Sequence, residues 1–301
     1  MRVCCIYDVE GWAHHRRCVA LKKYAPPDIA VDLCSREQLA SAADGGYDVA
    51  LLLCYGLAGR FRKMLDARNA TTRLAVGFNV GWGYRRDRLE PLLECSDRVV
   101  LNNYENWHRQ GRLPKTTWIS NGTDLELFHV ARPFANRPPK VIWSGSRYHK
   151  DHNDDLKGRG LLEAIEPRLA EKGIQWEWLE VDSHGDPRRK TLPEMMEWYN
   201  SAKCYVCAST VEGTPNPLLE AAACGCVPCS TRVGNATELI RPGINGELVD
   251  RTEGELFEGI CRCVKWHADM APRLLTDIQR WAWQDRAREY YTLFRRMVAG
   301  N

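Results

Sequence analysis

The chain has 301 residues, is 44% hydrophobic and 27% charged, and carries a formal net charge of +3. That balance excludes a disordered chain and exceeds one comfortable hydrophobic core, so two globular domains are expected. No window reaches the roughly 18 uninterrupted apolar residues of a membrane span, and MRVCCIYDVEGW lacks the apolar region and cleavage site of a signal peptide, so a soluble, cytoplasmic protein is expected.

In chain order, RVCCIYD, DIAVDLC, YDVALLLC, RLAVGFN, RVVLNN and TTWISN read as strands within the first 121 residues, with helices such as AHHRRCVALKKY and RLEPLLECSD between some of them. A second series follows: KVIWSGS, IQWEWLEV, KCYVCAS, CVPCST and GELVD, with helices near 158–172, 193–202, 217–224 and 254–268. Strands alternating with helices predict parallel sheets covered on both faces, with ligands at the carboxyl ends of the strands. The fold class expected is α/β, two doubly wound Rossmann-like domains facing a cleft. ARPFANRPPK, residues 131–140, reads as a linker, dividing the chain into 1–130 and 131–283.

The thirteen cysteines include Cys204-x2-Cys207 and Cys226-x2-Cys229, a zinc-ribbon spacing. The first pair lies in strand-forming sequence, where residues three apart point to opposite faces and cannot easily grip one ion. Free buried thiols in a reducing compartment are expected instead, including Cys4, Cys5, Cys18, Cys34 and Cys54.

In VEGTPNPLLEAAACG, residues 211–225, a strand ends at Glu212 and a proline-rich turn opens a helix that stops at Gly225. Unpaired amides and partial positive charge make a helix N-terminus a site for phosphate, and Asn216, Leu218 and Leu219 carry amides there. Glu212 and Glu220, on either side, would accept hydrogen bonds from the hydroxyls of a nucleotide sugar. The plainer alternative is a capped helix with a surface glutamate.

The segment EGTPNPLLEAAACGCVPCSTRVGNATELIRPGINGELV, preceded by YNSAKCYVCAST, resembles the donor-binding segment of the family 4 glycosyltransferases, retaining enzymes of the GT-B fold with a Glu, seven residues and a Glu. ISNGTDLELF resembles the family's Asn-Gly-x-Asp-x-x-x-Phe element, VIWSGSRYHK and LKGRGLLEAI its Gly-Arg and Lys-Gly segment, and WAWQDRAREYYTLF its closing helix. The likeness covers roughly residues 118 to 295.

The resemblance implies a hexosyltransferase-like enzyme using a nucleoside diphosphate sugar, UDP-linked by family frequency, with no metal and no cofactor. Residues 1–130 would be the acceptor-side domain, with the closing helix 284–301 packing back on it, and 131–283 the donor-binding domain. Glu212 would hold the transferred sugar and Glu220 the ribose, while Arg147 and Lys157 would neutralise the departing diphosphate. Gly11 and Gly145 would let backbone approach the donor, and Thr214 would join the turn residues around it. Asp8-x-Glu10 and Asp154-Asp155 are expected to be ordinary loop acids.

Where many members carry a histidine in the first domain, RLAVGFNVGWG offers Asn79; Trp12, His14 and His15 in DVEGWAHHRR are candidate acceptor or sugar contacts. Residues 60–115 hold twelve Lys or Arg against six Asp or Glu, so a polyanionic acceptor (a polysaccharide, a lipid or a nucleic acid) and solvated helix faces are both open. Two other functions also fit: a GT-B epimerase or hydrolase of nucleotide sugars, and a nucleic-acid-binding protein with a degenerate sugar site.

Overall fold

A computed structural model describes residues 1–78, 86–145, 155–181, 186 and 188–300. The first elements are β1 (Arg2–Tyr7), α1 (Ala13–Lys23), β2 (Ala30–Ser35), α2 (Leu39–Asp44), β3 (Val49–Leu52), α3 (Ala58–Ala67), β4 (Arg73–Phe78), α4 (Arg86–Cys95), β5 (Arg98–Leu101), α5 (Tyr104–Arg109) and β6 (Thr116–Trp118). There follow β7 (Lys140–Gly145), α6 (Arg159–Glu171), β8 (Gln175–Glu180), α7 (Leu192–Asn200), β9 (Cys204–Cys207), α8 (Asn216–Ala223), β10 (Val227–Thr231), α9 (Ala236–Leu239), β11 (Glu247–Val249), α10 (Glu253–Lys265), α11 (His267–Ile278) and α12 (Trp283–Val298). They form two compact units: Met1–Gly122 together with the chain from Trp283 onward, and Thr123–Ala282. The architecture is α/β, with a parallel sheet in each unit.

In the first unit the six strands run in the order β2-β1-β3-β4-β5-β6. β3 and most of β4 are buried on both faces, which is why they read as continuous apolar runs. One face, with Cys4, Ile6, Ala50 and Leu52, packs against Phe61 and Leu65 of α3 and Leu89 of α4. The other, with Val3, Cys5 and Leu51, packs against Leu21 of α1 and the stripe Ala287, Tyr290, Tyr291 and Phe294 of α12. Tyr291 Oη donates to the Leu21 carbonyl at 2.5 Å, and the buried Arg17 reaches Tyr290 Oη and Asn121 Oδ1.

In the second unit the order is β11-β10-β9-β7-β8. Local chemistry sets the helix ends: Thr191 and Glu194 form a reciprocal capping box at α7, and Asp155 accepts from the Arg159 and Gly160 amides at the start of α6. Asp155, a loop residue, thus caps the start of α6; Asp154 lies outside the described residues. Residues 131–140 depart from the linker expectation because Arg137 is buried and its guanidinium donates to the carbonyls of Ala202 and Cys224 and to Asn200 Oδ1, pinning the segment into the unit. Among the described residues no helix is long and apolar enough to cross a membrane.

The strand orders locate the ligand crevices. From β7 the chain passes through α6 to β8 on one side, then returns through α7 to β9 on the other. From β1 it passes to β2 on one side and then to β3 on the other. Ligands of doubly wound sheets bind where connections diverge in this way, beyond the carboxyl ends of the strands.

Candidate active site

A cavity of about 210 Å³ opens at the β7/β9 switch point of the second unit. Its floor comes from Trp143 and Ser144 of β7 and Tyr205 of β9, its rim from Lys157, Glu212 and the turn Thr214–Pro217. Ser144 Oγ and Tyr205 Oη lie 3.1 Å apart across the two strands. Burial pushes the Tyr205 phenol well above its ordinary pKa, so it stays protonated.

Lys157 and Glu212, 55 residues apart in sequence, meet here: Lys157 Nζ lies 2.5 Å from Glu212 Oε1. The same oxygen accepts from Ser209 Oγ at 2.7 Å, which fixes the carboxylate's orientation. Burial disfavours the Lys157 ammonium, but the charge and hydrogen bond of Glu212 outweigh it and leave the lysine pKa above its ordinary value. The Glu212 carboxylate thus favours the charged form of the lysine.

The loop carrying Lys157 is clasped at several points. Trp143 Nε1 donates to the Lys157 carbonyl at 3.3 Å, and Thr210 N donates to the Leu156 carbonyl at 2.8 Å. Arg251 donates to the carbonyls of Ala208 and Asp155. Gly158, at φ 75°, could not be replaced freely, because an added Cβ would lie 2.4 Å from the Ala208 carbonyl oxygen. Gly145 ends β7 beside this loop, where a Cβ would come within 2.7 Å of the Trp143 ring.

The turn after Glu212 differs from expectation in one respect. Helix α8 begins at Asn216, so the Leu218 and Leu219 amides donate to the Pro215 carbonyl as first-turn helix bonds, and both side chains are buried. They do not line the cavity, whereas Thr214 and Asn216 do. Glu220 is also absent from the lining: it is only 4% exposed and accepts from Tyr199 Oη at 2.9 Å. Arg147 lies outside the described residues. Cys204 and Cys207 point to different neighbours, the former toward Cys263 and the latter toward Ser209 Oγ at 3.7 Å.

The first unit has a second, larger cavity of about 710 Å³ at its own switch point, walled by Asp8 and His14 after β1, Arg36 and Glu37 after β2, and Tyr55 and Arg60 after β3. His14 Nδ1 lies 3.0 Å from Asp8 Oδ2. Burial works against the Asp8 carboxylate, but the His14 and Val9 hydrogen bonds outweigh it and hold its pKa below the ordinary value. His15 faces elsewhere, its ring 4.5 Å from that of Tyr7 and its Nδ1 accepting the Gly11 amide at 2.9 Å. Gly11 has φ 75°, a turn conformation that favours glycine, and Trp12 beside it is 44% exposed. Asn79 lies outside the described residues.

Much of the basic stretch is neutralised locally. Arg62, Arg68, Arg73, Arg86 and Arg109 face Asp66, Asp44, Asp97, Glu90 and Glu105 respectively. Arg60 has no carboxylate partner among the described residues and lies on the cavity wall.

Sequence reasoning missed Ser209 and Arg251 and took Asp8 for an ordinary loop acid, whereas it lines the cavity of the first unit. Asp8 and Ser209 are the last residues of the predicted strands RVCCIYD and KCYVCAS, where a ligand-facing polar residue could have been suspected; Arg251 gave no local signal.

Residues 167–265 match the family model of glycosyl transferases group 1, a segment that contains both Glu212 and Glu220. Sucrose-phosphate synthase from Thermosynechococcus elongatus is similar over 100% of both chains, at 15% identity and a TM-score of 0.70. The Anabaena protein HepE, solved with UDP and glucose, is similar over 97% of this chain and 99% of its own, at 13% identity and a TM-score of 0.71. The lipopolysaccharide outer core galactosyltransferase WaaB is similar over 97% and 98% of the two chains, at 12% identity and a TM-score of 0.64. No curated protein matches the chain by sequence. At such identities the solved structures speak to fold, which is GT-B, while the matched segment is similar to the glycosyl transferases group 1.

Proposed function

We propose that the protein transfers a sugar from a nucleoside diphosphate sugar, UDP-linked, to an acceptor hydroxyl. The observation that carries this reading is the Lys157–Glu212 pair at the β7/β9 switch point, beside the α8 turn. A diphosphate sugar supplies what each member of the pair would need in place of the other: phosphate oxygens for the ammonium and sugar hydroxyls for the carboxylate. HepE has been solved with UDP-glucose, which supports the choice of donor class.

In this reading the lysine, with Arg147, stabilises the leaving diphosphate, and no metal is required. Glu212 orients the transferred sugar. Retention of configuration follows from the family 4 likeness, with the leaving phosphate taking the acceptor proton. Glu220, buried on Tyr199, has to turn from that partner to meet a ribose. The acceptor enters the cavity of the first unit, where His14 and Asp8 bind hydroxyls and Arg60 favours an acceptor bearing negative charge.

The deciding experiment follows turnover of a panel of nucleoside diphosphate sugars with and without candidate acceptors, by mass spectrometry. Acceptor-dependent release of nucleoside diphosphate is expected. Equal turnover without any acceptor would replace this reading with hydrolysis, and no turnover or binding of any donor would remove it.

A further inference from the structure

Cys4 of β1 and Cys34 of β2 place their sulfurs 3.3 Å apart. In the parallel register Cys4 lies opposite Asp32 and Cys34 opposite Ile6, so the two cysteines are diagonal neighbours on one face of the sheet. Their surroundings differ. Cys4 is fully buried, whereas Cys34 is half-buried at the carboxyl end of an edge strand that pairs only with β1. Cys5, the next residue, points to the opposite face among Val3, Cys18 and Leu21.

We propose that Cys34 and Cys4 form a thiol-oxidation site for hydroperoxides, with Cys34 the attacking sulfur and Cys4 the resolving one. The asymmetry of the pair supports the assignment. The hydrogen bond from Cys4 holds the Cys34 thiol below its ordinary pKa, against burial and the Asp32 charge, while the same contact and burial push Cys4 up. The thiolate is the nucleophile, so the more accessible sulfur is also the more reactive one.

In the first step the Cys34 thiolate attacks the peroxide; an S–O bond forms, the O–O bond breaks, and the departing hydroxide or alkoxide takes up a proton. In the second, the Cys4 sulfur attacks the Cys34 sulfur, the S–S bond forms as the S–O bond breaks, and the Cys4 proton passes to the sulfenic oxygen, which leaves as water. The two thiols lose two electrons and the hydroperoxide gains them; a thiol reductant reverses the change by exchange. The sulfurs must close by about 1.3 Å to reach disulfide length. β2 is an edge strand bonded to β1 alone, and a shift of that strand supplies the closure.

The site is independent of the sugar-transfer reading, and no substrate is needed to test it. The purified, reduced chain is treated with hydrogen peroxide, quenched by alkylation, and digested with trypsin without reductant. A cross-linked species joining VCCIYDVEGWAHHR to YAPPDIAVDLCSR is expected, about 2 Da lighter than the sum of its peptides and released by dithiothreitol. The cross-link should vanish in Cys34→Ser and in Cys4→Ser but persist in Cys5→Ser. Should a serine variant fail to fold, the corresponding alanine variant takes its place. Over-oxidised Cys34 without the cross-link, a cross-link that survives in Cys4→Ser, or no oxidation at either position would each overturn the proposal.

Discussion

Replacing Glu212 by Gln removes one negative charge while keeping an oxygen that can accept from Ser209, so the variant isolates the charge from the hydrogen-bond geometry. Two losses follow. The first is to the fold: Lys157 keeps its burial but loses the partner that offsets it. Because its folded pKa is raised, the lysine's contribution is fully present below its unfolded value near 10.5 and is lost only as pH rises through the folded value, so an assay at neutral pH sees all of it. The pair is intermediate between surface and buried, with side chains 38% and 15% exposed, so its loss should cost about 1–2 kcal/mol of stability. The second loss is to turnover. If the carboxylate acts on the sugar as positive charge develops there, kcat should fall by a factor on the order of 100 to 1,000, with little change in donor KM. Steady-state kinetics with the productive donor, beside thermal unfolding, separates the two. The double variant Glu212→Gln with Lys157→Met adds a control: a coupling near zero in kcat shows that the ion pair has already opened in the reacting complex. An unchanged kcat, or a defect confined to KM, would refute the role given to Glu212.

Millimolar UDP should raise the melting temperature through the second unit, and Lys157→Met should abolish most of that shift. Gly158→Ala should destabilise the fold by roughly 2–3 kcal/mol, from both its positive φ and the close Ala208 carbonyl, as read by chemical denaturation. His14→Gln should raise acceptor KM and leave donor KM unchanged, since its cavity belongs to the first unit; an effect on donor KM alone would count against acceptor entry there. His267, buried and bonded to the Gly225 carbonyl, has its pKa lowered by burial from 6.5 to about 4, so its contribution is present above pH 6.5 and disappears as pH falls toward 4. Unfolding free energy should drop by roughly 3 kcal/mol over that interval, and His267→Asn should flatten the profile.

The strands were readable because parallel strands buried on both faces leave uninterrupted apolar runs, as in VALL of β3 and CYVC of β9. The turn after Glu212 was readable because prolines and a terminal glycine mark helix boundaries locally. What stayed hidden depends on distance in sequence or on a single residue of register. The pairing of Lys157 with Glu212 and the Arg251 clasp are tertiary facts. Whether the Leu218 amide is free depends on α8 starting at Asn216 rather than one or two residues later. The charge count over residues 60–115 suggested a basic surface, yet Asp44, which answers Arg68, lies outside that window altogether.

The α12 stripe that completes one face of the first sheet comes from residues made after the whole of Thr123–Ala282. During synthesis the second unit therefore has its full set of strands and helices before the first can cover Val3, Cys5 and Leu51. The order of maturation should run opposite to the order of translation for these two units. A nascent chain stalled just before Trp283 should present a protease-resistant second unit and a first unit whose uncovered face binds holding chaperones.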